Sequence, residues 1–361
     1  MTNAAGAMTR EYWSIQYLRG LAATMVVIYH LGQPLARMGY SHGWPSGLSA
    51  GVDIFFVISG FVMWVTTRAR PLSTSQFYIK RLVRIVPLYW IMTSVMLAIL
   101  LIAPSVMQTS VFQLRHVVAS YFFFPVQNPG KEAMEPLLFA GWTLNYEMLF
   151  YAIFGVFLMA RPMVRLWGTI AVLVGLVAIG SLAGVPKLSA FGFYTSDILL
   201  EFAAGMLIGE LTLRRDGTAL SGIPIALALS LLVGGLAALL WNPVPPELTR
   251  AVCFGLASVA IVIGALAIEL KGRLPGWRLA RLIGDASYSI YLSQLMTMAA
   301  FFFVWKRLRL TALPGATLLF SVLDVLVALA GGVACYFLVE RPLIALFRRR
   351  RVAPHNVPIA A

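Results

Sequence analysis

Apolar stretches close to the ~18–25 residues that a bilayer-crossing helix requires recur along the whole chain, and this recurrence constrains the fold more than any other feature. They fall at about 14–33, 48–66, 86–103, 137–159, 166–185, 197–213, 219–241, 250–270, 284–304 and 316–339. No ten-residue alternation of apolar and polar positions suggests a membrane β-barrel. The expected fold is therefore all-α, a polytopic transmembrane bundle of about ten helices. Composition agrees: 60% of the 361 residues are hydrophobic and 12% charged, with mean hydropathy +0.84, too few polar groups to cover a water-soluble globule of this size.

The formal charge of +14 raises the question of nucleic acid, but the basic residues are dispersed between apolar stretches, as orientation signals are in membrane proteins. With a cytoplasmic amino terminus, 19 of the 28 Lys and Arg residues fall in inside segments and 8 in outside segments, with Arg19 inside a span. Both termini are thus expected in the cytoplasm, the carboxy-terminal tail beginning at about residue 343, in a multi-pass protein of a bacterial inner membrane. Arg19 also interrupts the first span too early for a cleaved signal peptide. Residues 117–126 are apolar but too short to span and are expected to lie at the interface or re-enter, which leaves an eleventh span open. Linkers are short, so residues 1–361 are expected to form a single domain. Cys253 and Cys335 lie in apolar runs without ligand spacing, so neither a metal nor a disulfide is expected.

Ionisable groups within spans need a partner, a hydrated cavity or a chemical task. Arg19 and His30 are eleven residues apart, close to three helical turns, so they share a face roughly 16 Å apart along the axis. Each also has a plain reading, Arg19 snorkelling to the interface and His30 bonding a carbonyl at a helix end. Asp53 opens the second span and is expected at a depth similar to His30, where a carboxylate orients an imidazole as in general-base sites, unless it only caps its helix. Lys80, Arg81 and Arg84 cluster on one turn of a segment that also carries Tyr89, matching either the phosphates of a nucleotide-like cofactor or anionic lipid headgroups. Asn145 and Glu147 lie midway into an apolar span, and Ser287, Tyr291 and Gln294 form a polar stripe on another.

The ordered set Arg19 with His30, GVDIFFVISGF, FYIKRLVRIVPLYW, WTLNYE, SYSIYL and Glu340-Arg341-Pro342 resembles the acyltransferase-3 family over almost the whole chain. QYLRG and GWTLNYEM look most like the branch that acetylates exopolysaccharides. The resemblance implies a bundle of about ten helices, acetyl-CoA as co-substrate, and a cell-surface glycan or its lipid-linked precursor as acceptor, with polysaccharide-assembly proteins as conceivable partners. It implies catalytic roles for His30 and Arg19, a supporting one for Asp53, and donor binding by Lys80, Arg81 and Arg84. Gln294 departs from the pattern, since relatives often carry His there, and an amide does not titrate near neutral pH. No appended esterase-like domain is expected. Two chemical routes stay open: direct attack by the sugar hydroxyl with His30 as base, or relay through an acetylated His30. A transporter of glycans or organic anions is the rival function, for which internal repeats and helices broken at mid-membrane are wanting.

Overall fold

Lipid offers a backbone no hydrogen-bonding partner, so a chain of this composition must satisfy its peptide groups within helices. In the computed structural model, which describes residues 11–69, 72–104, 111–241 and 249–349, helices dominate and the only β-pairing is an isolated bridge between Gln127 and Met134. The helices are α1 (Trp13–Arg37), α2 (Gly51–Ala69), α3 (Thr74–Ile102), α4 (Leu114–Tyr121), α5 (Gly141–Val156), α6 (Pro162–Leu182), α7 (Ala190–Tyr194) and α8 (Leu199–Leu213). They continue as α9 (Thr218–Ser221), α10 (Ile225–Trp241), α11 (Leu256–Leu270), α12 (Arg278–Asp285), α13 (Ser287–Arg307), α14 (Ala316–Cys335) and α15 (Arg341–Arg349). Among the described residues, seven continuous helical stretches are long and apolar enough to cross a membrane. The other three expected spans are helical too: α1, with Arg19 and His30, and the shorter α5 and α10.

Two boundaries differ from expectation, and one segment is as short as expected. The third helix begins at Thr74, not near residue 86, because Ser73 and Gln76 form a reciprocal capping box; Pro87 is accommodated inside the helix. Lys80, Arg81 and Arg84 therefore ride on the spanning helix itself instead of on a linker. The apolar run at 117–126 gives only the eight-residue α4, about 12 Å long, so it does not supply an eleventh span. Past α14, a π-turn at Tyr336–Glu340 leads directly into α15, so the tail expected from residue 343 is still helical at Arg349. Arg10, Arg70, Arg350 and Arg351 of the charge distribution, and the tail beyond Arg349, lie outside the described residues.

Burial ranks the helices from axis to periphery. The apolar window of Ser46–Ala69 is 78% buried, whereas that of Pro162–Leu182 is 22% buried, so α2 runs through the centre and α6 shows most of its surface to lipid. Two glycines set the central packing of α2 on α8. A Cβ at Gly60 would stand 2.1 Å from the Phe202 carbonyl oxygen, and one at Gly205 would stand 2.0 Å from that of Val57. Small residues that let backbones touch are the usual means of holding helices together in lipid. Around this axis Phe56, Phe150 and Phe202 pack with Trp64 and Tyr146, leaving the polar faces of α1, α2, α5 and α13 turned towards each other.

Candidate active site

Where those faces meet, two cavities form. The first, about 240 Å³, lies between α1, α2, α3, α5 and α13 and collects Arg19, Arg81, Arg84, Glu147, Ser59 and Ser287. The second, about 300 Å³, is lined by His30 of α1, Ser49, Trp142 of α5, Arg250, Gln294 of α13 and the segment around Met134. Val52 and Tyr291 line both, so the cavities adjoin at these two side chains. The Tyr291 hydroxyl is paired with Thr143 Oγ1 at 3.0 Å, which fixes the ring at the junction.

Three arginines against a single acid give the first cavity its character. Arg81 is held in place, donating from Nη2 to Thr66 Oγ1 at 3.0 Å, while Arg84 stays exposed at the rim. Arg19 donates from Nη1 to Gln16 Oε1 at 3.2 Å. Glu147 accepts a 2.5 Å hydrogen bond from the Ser59 hydroxyl, and the Tyr288 hydroxyl donates to the Ile85 carbonyl at 2.7 Å, pinning α13 against α3. On α12, outside the spanning helices, burial raises the Asp285 carboxyl above its ordinary range while Arg19 and Arg281 pull it back.

His30 is differently placed. It is 9% exposed and packs edge-on to Phe139 at 5.7 Å, and its ring makes no hydrogen bond to protein among the described residues. Its nitrogens are left for whatever enters the cavity. Arg19 and His30 thus share α1 but open into different cavities, the arginine into the basic one and the histidine into the one beyond the junction.

The expected pairing of Asp53 with His30 does not occur. Asp53 is fully buried and receives a fork from Arg250, Nε to Oδ1 at 2.9 Å and Nη2 to Oδ2 at 2.5 Å. A guanidinium matches a carboxylate in two parallel bonds, which an imidazole cannot do. Three further residues fall elsewhere than expected. Lys80 is exposed and lines neither cavity, because it projects from α3 beside the arginines but away from the bundle. The Tyr89 hydroxyl is spent on the Ser120 carbonyl at 2.8 Å, with its ring stacked on Phe123. Asn145 is buried with neither amide atom bonded and faces neither cavity. Ser287 lines the first cavity, Gln294 the second and Tyr291 both; Gln294 donates to the Tyr291 carbonyl at 3.2 Å and leaves its Oε1 unpaired. Ser59, Thr143 and Arg250 were not singled out in the sequence. Arg250 stands at the edge of an apolar run and reads there as one more outside charge.

The fold and its two adjoining cavities define a polytopic membrane protein with a polar, internally built site, and the sequence comparisons give its class. Residues 12–340 match the family model described as an acyltransferase domain, and the chain belongs to the acyltransferase-3 family. Among curated proteins it is 39% identical over 305 residues to the exopolysaccharide production protein ExoZ of Rhizobium meliloti, covering 84% of this chain and 92% of that one. It is 27% identical to BcsY of Komagataeibacter xylinus, over 95% of this chain and 85% of the other. The peptidoglycan O-acetyltransferase OatA of Listeria monocytogenes matches at 28% identity over 43% of this chain and 21% of its own length. No solved structure matches. The protein is accordingly a multi-pass membrane O-acyltransferase that uses an acyl donor as co-substrate.

Proposed function

We propose that this protein takes acetyl from acetyl-CoA on the cytoplasmic side of a bacterial inner membrane and delivers it to a hydroxyl of an exopolysaccharide or its lipid-linked precursor. The observation that carries this reading is that a basic cavity and the His30 cavity adjoin, with Val52 and Tyr291 lining both. With both termini cytoplasmic, α1 starts inside, and the basic cavity faces the compartment that holds CoA. The cavity of about 240 Å³ takes the thioester end and part of the pantetheine arm, leaving the phosphates at the rim on Arg84 and Arg81, whose forks suit phosphate oxygens. Arg19 lies further along the same arm.

An alcohol is a poor nucleophile at neutral pH, whereas a thioester carbonyl is already activated, so the step requires a base next to the acceptor. His30, unbonded within its cavity, takes the proton of the sugar hydroxyl as its oxygen attacks the carbonyl carbon. Collapse of the tetrahedral intermediate breaks the C–S bond, and His30 returns the proton to the departing thiolate. Trp142 gives the cavity an aromatic wall of the kind on which sugar rings lie. The exopolysaccharide role named for the Rhizobium relative and the O-acetyl transfer named for the Listeria one support the choice of acceptor and acyl group. Membranes with and without the protein, given acetyl-CoA labelled in the acetyl group, test the reading directly. Label is expected in glycan only when the protein is present, and glycan that moves without acquiring label contradicts it.

A further inference from the structure

His30 accounts for the proton but not for the charge that appears on the carbonyl oxygen during attack. In a water-poor cavity such a charge needs a donor already in place. The His30 cavity has one cation among its lining residues, Arg250. Two of its nitrogens are committed to Asp53, and Nη2 also reaches the Ser49 carbonyl at 3.3 Å. Nη1 has no partner among the described residues, and the side chain keeps 32% of its surface accessible. One guanidinium face is covered by the Phe254 ring at 5.1 Å, and the residue that follows is tied down as well, since the Ala251 N–H donates to Asp197 Oδ2 at 2.9 Å. The arginine is thus clamped from several sides, with Nη1 unpaired on a side chain that lines the cavity holding the base.

We propose that Arg250 is a catalytic residue of the acyl transfer, its free Nη1 donating to the carbonyl oxygen as that oxygen becomes negative, and that Asp53 is its positioning residue. This rests on the acyl-transfer reading above. As the sugar oxygen bonds to the carbonyl carbon, the C=O π pair moves onto oxygen and is held by Nη1–H. The pair returns when the C–S bond breaks, and the hydroxyl proton passes through His30 to the thiolate, so Arg250 neither gains nor loses a proton. Asp53 in the fork, with Glu201 and Asp197 nearby, offsets the charge of Arg250, so what the arginine offers is a directed hydrogen bond and not a general anion trap.

A donor used only in the transition state lowers kcat and kcat/KM together and leaves KM unchanged. In membranes carrying their native glycan and given labelled acetyl-CoA, Arg250→Gln is expected to lose about 10²–10³-fold in kcat, with KM for acetyl-CoA within about threefold of wild type. Arg250→Lys, which keeps the charge opposite Asp53 but not the fork, should lose about tenfold or more. Asp53→Asn should lower kcat at constant KM because the fork is no longer fixed. Removing Arg250 alone strands a buried carboxylate, so the double variant Asp53→Asn with Arg250→Gln serves as the control for folding. It is expected to accumulate and bind acetyl-CoA as wild type does, yet transfer no faster than Arg250→Gln. Wild-type kcat in folded Arg250→Lys, a raised KM at constant kcat, or a double variant that turns over normally overturns the proposal. So does failure of both Arg250→Lys and the double variant to fold, which assigns the pair to structure. Absence of transfer by the wild type sinks the acyl-transfer reading instead.

Discussion

Replacing Arg84 by alanine isolates the donor-binding half of the site. Arg84 lines the basic cavity from α3 but stays exposed at its rim, and among the described residues no carboxylate is paired with it. Its loss should therefore leave the bundle intact and remove one contact to a phosphate. A charge-assisted hydrogen bond contributes about 1.5–3 kcal/mol, and solvent at the rim places this one at the lower end. About 1.5 kcal/mol corresponds to roughly a tenfold rise in the apparent KM for acetyl-CoA, because 1.4 kcal/mol is a factor of ten. The contact exists before and during reaction, so kcat should change little. Arg84→Lys should restore only part of the affinity, since an ammonium lacks the fork. The assay is initial-rate kinetics with equilibrium binding of acetyl-CoA at low and high salt, where screening should shrink the difference between wild type and variant. Wild-type affinity in Arg84→Ala at low salt would refute the reasoning and leave Arg84 as a lipid-facing charge.

The central packing predicts that Gly205→Leu prevents accumulation of folded protein, because its Cβ would meet the Val57 carbonyl oxygen at 2.0 Å, whereas Gly175→Ala, with no atom within 4 Å, should express as wild type. Detergent-solubilised yield and thermal unfolding check both. Gln294→Ala should reduce activity modestly and Gln294→His should be tolerated, since the position needs a polar group bonded to the Tyr291 carbonyl and not a titrating one; transfer rates decide, and complete loss in a folded Ala variant would point to direct substrate contact. A cysteine at Ser73, exposed at the start of α3, should be shielded from an impermeant thiol reagent in intact cells, and labelling from outside would reverse the assigned orientation.

How far the sequence carries depends on the range of the interaction. Spanning helices are legible because lipid forces each one to declare itself locally, whereas the start of α3 is set by a polar capping box at Ser73 and Gln76 that apolar runs do not reveal. The shared face of Arg19 and His30 is equally local, a matter of helical phase. Phase alone does not tell which side of α3 meets the bundle, and so it does not separate Arg81 and Arg84 in the cavity from Lys80 outside it. Asp53 shows the limit most clearly. Its partner lies 197 positions away, beyond the eight helices α3 to α10. Nothing near Asp53 or Arg250 announces the other, and depth in the membrane suggested His30 only because both sit near the same loop.

The central claim is that His30 performs the proton transfer in a cavity reached by the acyl donor from the basic side. It is tested most directly by measuring acetyl-CoA binding and acetyl transfer side by side in His30→Ala and His30→Gln. His30 packs against Phe139 without bonding other protein groups, so both variants should fold and bind acetyl-CoA as wild type does. Transfer to glycan should fall by roughly 10²–10⁴-fold, the range for loss of a general base. Near-normal turnover by a well-folded His30→Ala protein would contradict the account.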